Sequence, residues 1–186
     1  MYILEPILRK LRISRITKNL PKKVELLVDF GCGEEAGVLQ DLANYYQRAI
    51  GFDGRVSNRK ISEKIILQQA NLNQRVNLED NSVDVVICLA VLEHVLKPQE
   101  LLNEAYRVLK PGGILLLTTP SWVAKPILEF LSYRLKIVDR REIEDHQRYF
   151  WNKELKEMLK IAHFDLSKAK VSYFQFACNN FVFAKK

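Results

Sequence analysis

The feature that most constrains this chain is a short apolar run that halts on a glycine turn. Val24-Glu-Leu-Leu-Val-Asp-Phe30 is followed at once by Gly31-Cys-Gly33-Glu-Glu-Ala-Gly37. A run of this length reads as a strand buried on both faces, as in a parallel sheet covered by helices. Gly31 and Gly33 let the chain turn sharply and let main chain approach a ligand with no Cβ in the way. Dinucleotide folds use glycines the same way, so the neighbouring acids decide between ligands. Pyrophosphate at a helix N-terminus is disfavoured by nearby anions, and here Asp29, Glu34 and Glu35 crowd that place. Three carboxylates suit a ligand that carries positive charge.

The same alternation of strand and helix continues downstream. Val38 to Gln47 is helical in pattern, and Ala49-Ile-Gly-Phe-Asp53 is a second strand with an acid at its tip. An acid about twenty residues beyond a glycine turn is placed to accept both hydroxyls of a ribose. Third and fourth strands are expected at Lys64 to Ala70 and Val83 to Leu89. A helix over Gln99 to Leu109 is closed by Lys110-Pro-Gly-Gly113, and Ile114 to Thr118 makes a fifth strand. Beyond Pro120 the pattern turns irregular over 121–150. Asn152 has the character of a helix N-cap, for a helix running to about Ala162. Val171 to Phe176 and Phe181 to Ala184 read as a closing hairpin, with Asn179 and Asn180 available for its turn. The expected fold is a Rossmann-like α/β domain: a seven-stranded, mostly parallel sheet with helices on both faces and a C-terminal antiparallel hairpin. It spans 24–186, with 121–150 as a cover and 1–23 as a basic helical segment.

Composition excludes several classes. No stretch approaches the ~20 apolar residues a membrane span needs, and the N-terminus lacks the apolar core of a signal peptide. Cys32, Cys88 and Cys178 are odd in number and without CxxC spacing, which predicts reduced thiols and no metal site. A cytoplasmic location follows as an expectation. The formal net charge is +7, yet residues 1–23 hold seven cations against Glu5 alone. The remainder is almost neutral, so a field able to steer nucleic acid is absent. No Pro-Pro-aromatic motif follows the fourth strand, and Cys88 is not followed by proline; a nucleic-acid partner is not expected.

Taken in order, Asp29-x-Gly-x-Gly33, Asp53, Asn71-Leu72, Asp80 to Val95 and Arg107-Val-Leu-Lys-Pro-Gly-Gly113 resemble the successive motifs of class I S-adenosylmethionine-dependent methyltransferases. The small-molecule type 11 group is the nearest pattern, over about 24–120, with a looser match through Glu142-x-x-x-His146-x-Arg-Tyr-Phe150. The resemblance implies S-adenosyl-L-methionine as cofactor and a small-molecule acceptor, such as a sugar or a lipid-linked intermediate. It puts Asp29, Gly31, Cys32 and Gly33 around the methionine moiety and Asp53 on the ribose. Asn71 and Leu72 would meet the adenine, and Leu89 and Ala90 would pass beside the sulfonium. The sequence departs from the family in carrying Asn71 where Asp is usual, and in a short polar 54–64 segment where a full helix is usual. A catalytically inactive, methyltransferase-like partner or scaffold is the alternative function.

Two histidines are candidates for proton transfer. His94 follows Glu93 just beyond the fourth strand, and His146 falls in the cover, with Glu142 one helical turn before it. An imidazole titrating near pH ~6.5 can take a proton from a hydroxyl; either could instead order its loop. His163 is expected to be structural. The N-terminal segment leaves two readings open. Its stripe Ile3, Leu4, Ile7, Leu8 and Leu11 could cover the cofactor cleft with the cations solvated. Alternatively, residues 1–23 could meet an anionic membrane or a phosphorylated, lipid-linked acceptor.

Overall fold

The computed structural model describes residues 5–124 and 148–186. In chain order these form α1 (Glu5–Thr17), β1 (Leu26–Phe30), α2 (Gly37–Asp41), β2 (Arg48–Asp53), β3 (Arg59–Lys60), β4 (Ile65–Gln69) and β5 (Val83–Leu89). Then come α3 (Pro98–Val108), β6 (Leu109–Pro120), α4 (Asn152–Ile161), a 3₁₀ turn (Leu166–Lys168), β7 (Ala169–Phe174) and β8 (Asn179–Lys185). One sheet holds all the strands in the order β3-β4-β2-β1-β5-β6-β8-β7. The five central strands are parallel, and β3, β8 and β7 each run antiparallel to the strand they join.

Every residue of β1 is buried, which is why its run carries no alternation. One face of the sheet packs Val28, Phe30, Val86 and Leu115 against Leu101, Leu102 and Ala105 of α3 and Leu155 and Leu159 of α4. The other packs Leu27, Val85, Ile87 and Leu116 beneath Ile16 of α1 and Leu39 of α2, with Leu42 just after it. Burying each such leucine or isoleucine contributes ~1.5–3 kcal/mol, so both helical layers are held by the sheet.

The sheet has one strand more than expected. The polar 54–64 segment forms no helix; Arg59 and Lys60 pair antiparallel with Leu67 and Ile66, and the Asn58 side-chain oxygen accepts the Gln69 N–H at 2.7 Å. Three other expectations shift locally. The helix after the glycine turn stops at Asp41 rather than Gln47, because Tyr46 folds back and its hydroxyl donates to Leu39 O at 2.6 Å. The cap of α4 is Trp151, whose N–H reaches the Glu154 carboxylate at 2.6 Å, and Asn152 is already helical. In the closing hairpin Asn179 and Asn180 belong to β8 and leave the left-handed turn to Gln175, Phe176 and Ala177 (φ 51°, 56° and 65°). Asn180 is held there by its buried amide, which donates to Phe150 O at 2.9 Å. Left-handed backbone costs roughly 1–2 kcal/mol per non-glycine residue. His163 takes the same conformation (φ 69°) just after α4, with its N–H on Lys160 O, which agrees with a structural role.

Candidate cofactor and acceptor site

The strands β1, β2, β4, β5 and β6 all point their carboxyl ends the same way, and the sequence-predicted residues among those described gather there. The glycine turn leaves β1 and is tied to the end of β2: Gly31 N–H donates to Phe52 O at 2.7 Å and Cys32 N–H to the same oxygen at 3.3 Å. Gly33 N–H donates to the Asp53 carboxylate at 3.1 Å, and the other Asp53 oxygen accepts Arg55 N–H at 2.9 Å. Gly31 and Gly33 both have positive φ, 83° and 66°. A Cβ on Gly31 would lie 2.1 Å from a Val91 methyl carbon, whereas a Cβ on Gly33 would meet nothing within 4 Å. The space before Gly33 is therefore open to a ligand, and Gly31 is glycine because Val91 fills the place of a side chain.

The electrostatics of this corner are unusual. Asp29 is buried; burial first, and the Asp53 carboxylate second, push its carboxyl up to about 8. The Cys32 thiol is pushed up to about 12 by burial and then by Asp29 and Asp53. Two acids face one side of the turn, and among the described residues the cation paired with Asp53 is the largely exposed Arg55, at 3.7 Å. A ligand that brings positive charge relieves this arrangement and one that brings phosphate worsens it. The carboxylates and the open space before Gly33 therefore fit S-adenosylmethionine.

Asn71 and Leu72 follow β4 at the same end of the sheet. The Asn71 side-chain oxygen is taken by the N–H and the amide of Asn73, both at 3.0 Å, and Leu72 is a core residue under the α3 face. What these two offer an adenine is main chain and the Asn71 amide nitrogen. Leu89 closes β5, and Ala90 turns left-handed (φ 54°) with its N–H on Thr118 O. Glu93 then dips into the protein and is wholly buried, accepting the Thr119 hydroxyl at 3.0 Å. Burial pushes its carboxyl up to about 7, against the opposing pull of its backbone hydrogen bond, the Thr119 hydroxyl and, least, Arg12. His94 is exposed beside it, with its N–H on Val91 O. His146 lies outside the described residues.

The reading of 1–23 as a cleft cover left its cations solvated and missed what they bind. Arg9 donates to Gly37 O at 2.6 Å and to Asp41 at 2.8 Å, so it sits on the first turn of α2. Arg15 lies 4.9 Å over the Phe181 ring. Arg12, between them, is near enough for its charge to act on the Glu93 carboxyl. Of the expected apolar stripe, Leu11 is 42% exposed and the side chains of Ile3, Leu4, Ile7 and Leu8 lie outside those described; Ile16 is fully buried. Arginines at 9, 12 and 15 fall on one helical face, and that spacing was the available signal. Arg59 was missed too; from β3 it donates to Glu34 O in the glycine turn.

Residues 28–117 match the family described as methyltransferase domain. The matched stretch runs from within β1 to within β6 and contains the glycine turn, Asp53 and Glu93-His94. The chain belongs to the class I S-adenosylmethionine-dependent methyltransferases, in the type 11 group. This methyltransferase domain is 34% identical over 99 residues to a "probable S-adenosylmethionine-dependent methyltransferase" of Mycolicibacterium smegmatis, covering 51% of this chain and 38% of that protein. It is 28% identical over 166 residues to the ubiquinone biosynthesis O-methyltransferase of Psychrobacter cryohalolentis, covering 81% and 63% of the two chains. Among solved structures, the protein in complex with the Trm112 methyltransferase activator of Haloferax volcanii is similar in fold. Its TM-score is 0.73 at 16% identity, over 98% of this chain and 91% of that one. The methyltransferase domain thus spans little more than a third of the first of these relatives. Among the described residues no helix is long and apolar enough to cross a membrane.

Proposed function

We propose that this chain catalyses S-adenosylmethionine-dependent methyl transfer to the hydroxyl of a small-molecule acceptor, such as a sugar or a lipid-linked intermediate. The observation that carries the cofactor assignment is the buried Asp29 beside Asp53 at a glycine turn open at Gly33. Oxygen as the receiving atom is supported by the likeness to an O-methyltransferase over four-fifths of this chain.

When bound, the cofactor supplies an electrophilic methyl group on a positively charged sulfur. Asp29 and the Gly31–Gly33 turn would hold the amino-acid end, and Asp53 the ribose hydroxyls. Asn71 and Leu72 would border the base, and Leu89 and Ala90 the reacting sulfur. The protein aligns the acceptor and keeps water out; positioning of this kind is worth an effective molarity of ~10⁵ M or more. A hydroxyl acceptor must also lose a proton. His94, beyond β5, and His146, in the 121–150 cover, are the candidates to receive it. Residues 1–23 act in this reading as part of the domain, through the inward contacts of Arg9 and Arg15.

The test is ligand-dependent thermal stability. S-adenosylmethionine and S-adenosylhomocysteine should raise the melting temperature and NAD should not. A shift with NAD alone would overturn the assignment, and no shift with any of them would favour a scaffold role. Radiolabelled cofactor screened against sugars, lipid-linked intermediates and phenols then finds the acceptor. With it in hand, His146→Ala should lower turnover ~10²-fold with cofactor affinity unchanged; equal loss of folding stability would assign His146 to packing of the cover.

A further inference from the structure

Large apolar side chains stand exposed together at the carboxyl ends of β5 and β6. The Trp122 ring lies 6.1 Å from that of Trp151, nearly parallel to it, and 6.0 Å from that of Tyr149. Trp122 is 38% exposed and Trp151 47%. Arg148 donates to Leu96 O at 3.2 Å, which brings Leu96, 65% exposed, to the same place. Ser121, next to Trp122, is bonded through its N–H and its hydroxyl to Cys178 O and Ala177 O. Those contacts fix the β7–β8 turn beside the patch, and at its tip Phe176 is 98% exposed. The left-handed run Gln175-Phe176-Ala177 holds that ring out of the protein.

We propose that this patch is a membrane-contact surface: Leu96, Trp122, Trp151 and Phe176 enter the interfacial region of an anionic bilayer, with Tyr149 at headgroup level. The cations select the partner. Lys97, Arg148 and Lys153 are exposed in the same segments. Lysine is depleted in protein–protein interfaces, whereas Lys and Arg beside exposed aromatic and aliphatic side chains suit an anionic lipid surface. Indole and phenol rings, apolar with one polar edge, favour the membrane–water boundary. The contact is peripheral and holds whether or not methyl transfer is the chemistry. Its place at the carboxyl ends of β5 and β6 would set the acceptor side of the domain against the bilayer.

Trp122 and Trp151 are the two tryptophans of the chain, so intrinsic fluorescence reads the patch directly. The full chain is titrated with phosphatidylcholine vesicles with and without phosphatidylglycerol, at low and high salt, including brominated phosphatidylcholine as a quencher. Emission should shift to the blue and be quenched by the brominated lipid, with partitioning about tenfold stronger on the anionic vesicles and weakened by salt. Leu96→Asp and Phe176→Asp keep both indoles; each should cut partitioning about tenfold with the melting temperature unchanged. Unchanged emission on anionic vesicles at low salt overturns the proposal. A blue shift that grows with protein concentration without lipid overturns it in favour of a second copy of the chain. Binding lost on deleting residues 1–20 but indifferent to both Asp variants overturns it in favour of α1.

Discussion

Gly33 and Asp53, twenty residues apart in sequence, are joined by a 3.1 Å hydrogen bond from the glycine N–H to the aspartate carboxylate. The ribose candidate at the tip of β2 therefore also fixes the turn that leaves β1. One side chain orders the turn from the very position proposed for holding the cofactor.

Asp53→Ala should accordingly weaken binding of S-adenosylhomocysteine by ~1.5–3 kcal/mol through the lost charged hydrogen bonds. Titration calorimetry measures it. Unchanged affinity would reduce Asp53 to a residue that only orders the turn.

The two turn glycines should fail differently. Gly31→Ala forces a Cβ to within 2.1 Å of Val91 at φ 83°, so it should destabilise the fold by several kcal/mol through overpacking and backbone strain. Gly33→Ala has free space around the new methyl and should cost only ~1–2 kcal/mol. Its larger effect should fall on cofactor binding, because the methyl enters the space before the turn. Denaturant melts paired with calorimetry separate the two; equal stability losses would contradict the assignment of that space to a ligand.

Stability of the unliganded protein should fall as pH rises through the neutral range. Asp29 has its carboxyl raised from 3.8 to about 8, chiefly by burial and then by Asp53. The folded state therefore holds a proton that the unfolded chain releases above pH ~4. Stability from that protonated form is complete below about pH 4 and is lost progressively up to about pH 8. Glu93, raised from 4.5 to about 7, acts in the same direction. Melting temperatures across this range should decline, and Asp29→Asn should flatten the decline. A profile for Asp29→Asn as steep as the parent's would assign the effect to Glu93. Because a cationic ligand favours ionised Asp29, cofactor binding near neutral pH should also release a proton, visible as a calorimetric enthalpy that depends on the buffer.

Much of this was legible in the residues. The β1 and β5 runs, the α3 pattern and the Gly31–Asp53 relation are local signals, and the structure places each close to where the sequence puts it. The failures share a cause in contacts distant in sequence. Arg59 and Lys60 form a strand because β4 offers them an edge, and nothing in Gly54 to Lys64 announces that. The asparagines of the closing hairpin look like turn residues until Asn180 meets Phe150 O across 30 residues. Asn71 looks free for adenine until Asn73 occupies its oxygen. The N-terminal cations look solvated because a helix read alone has no partner for them.

For Arg9 that partner is Asp41. The Arg9–Asp41 pair is about two-fifths exposed on both sides, so breaking it should cost only ~0.5–1 kcal/mol. Arg9→Ala should nevertheless weaken the cofactor complex more than it weakens the free protein, since Arg9 steadies the first turn of α2. Deleting residues 1–20 should do so more strongly. If the deletion leaves cofactor affinity intact and abolishes salt-sensitive co-sedimentation with anionic liposomes, α1 is a membrane element instead.

The position of β8 between β6 and β7 has a consequence for how the chain comes together. The parallel strands β4, β2, β1, β5 and β6 all lie within residues 65–120 or before them, but β6 finds its outer neighbour only at residues 179–185. Until that segment arrives, Ile114 to Pro120 is a bare edge of mostly buried side chains with unpaired amides and carbonyls. Closing such a long loop is slow, and an unpaired apolar edge is a template for association with other chains. Refolding yield should therefore depend on dilution far more than the stability of the finished domain does, and substitutions in β8 should act on yield before they act on melting temperature.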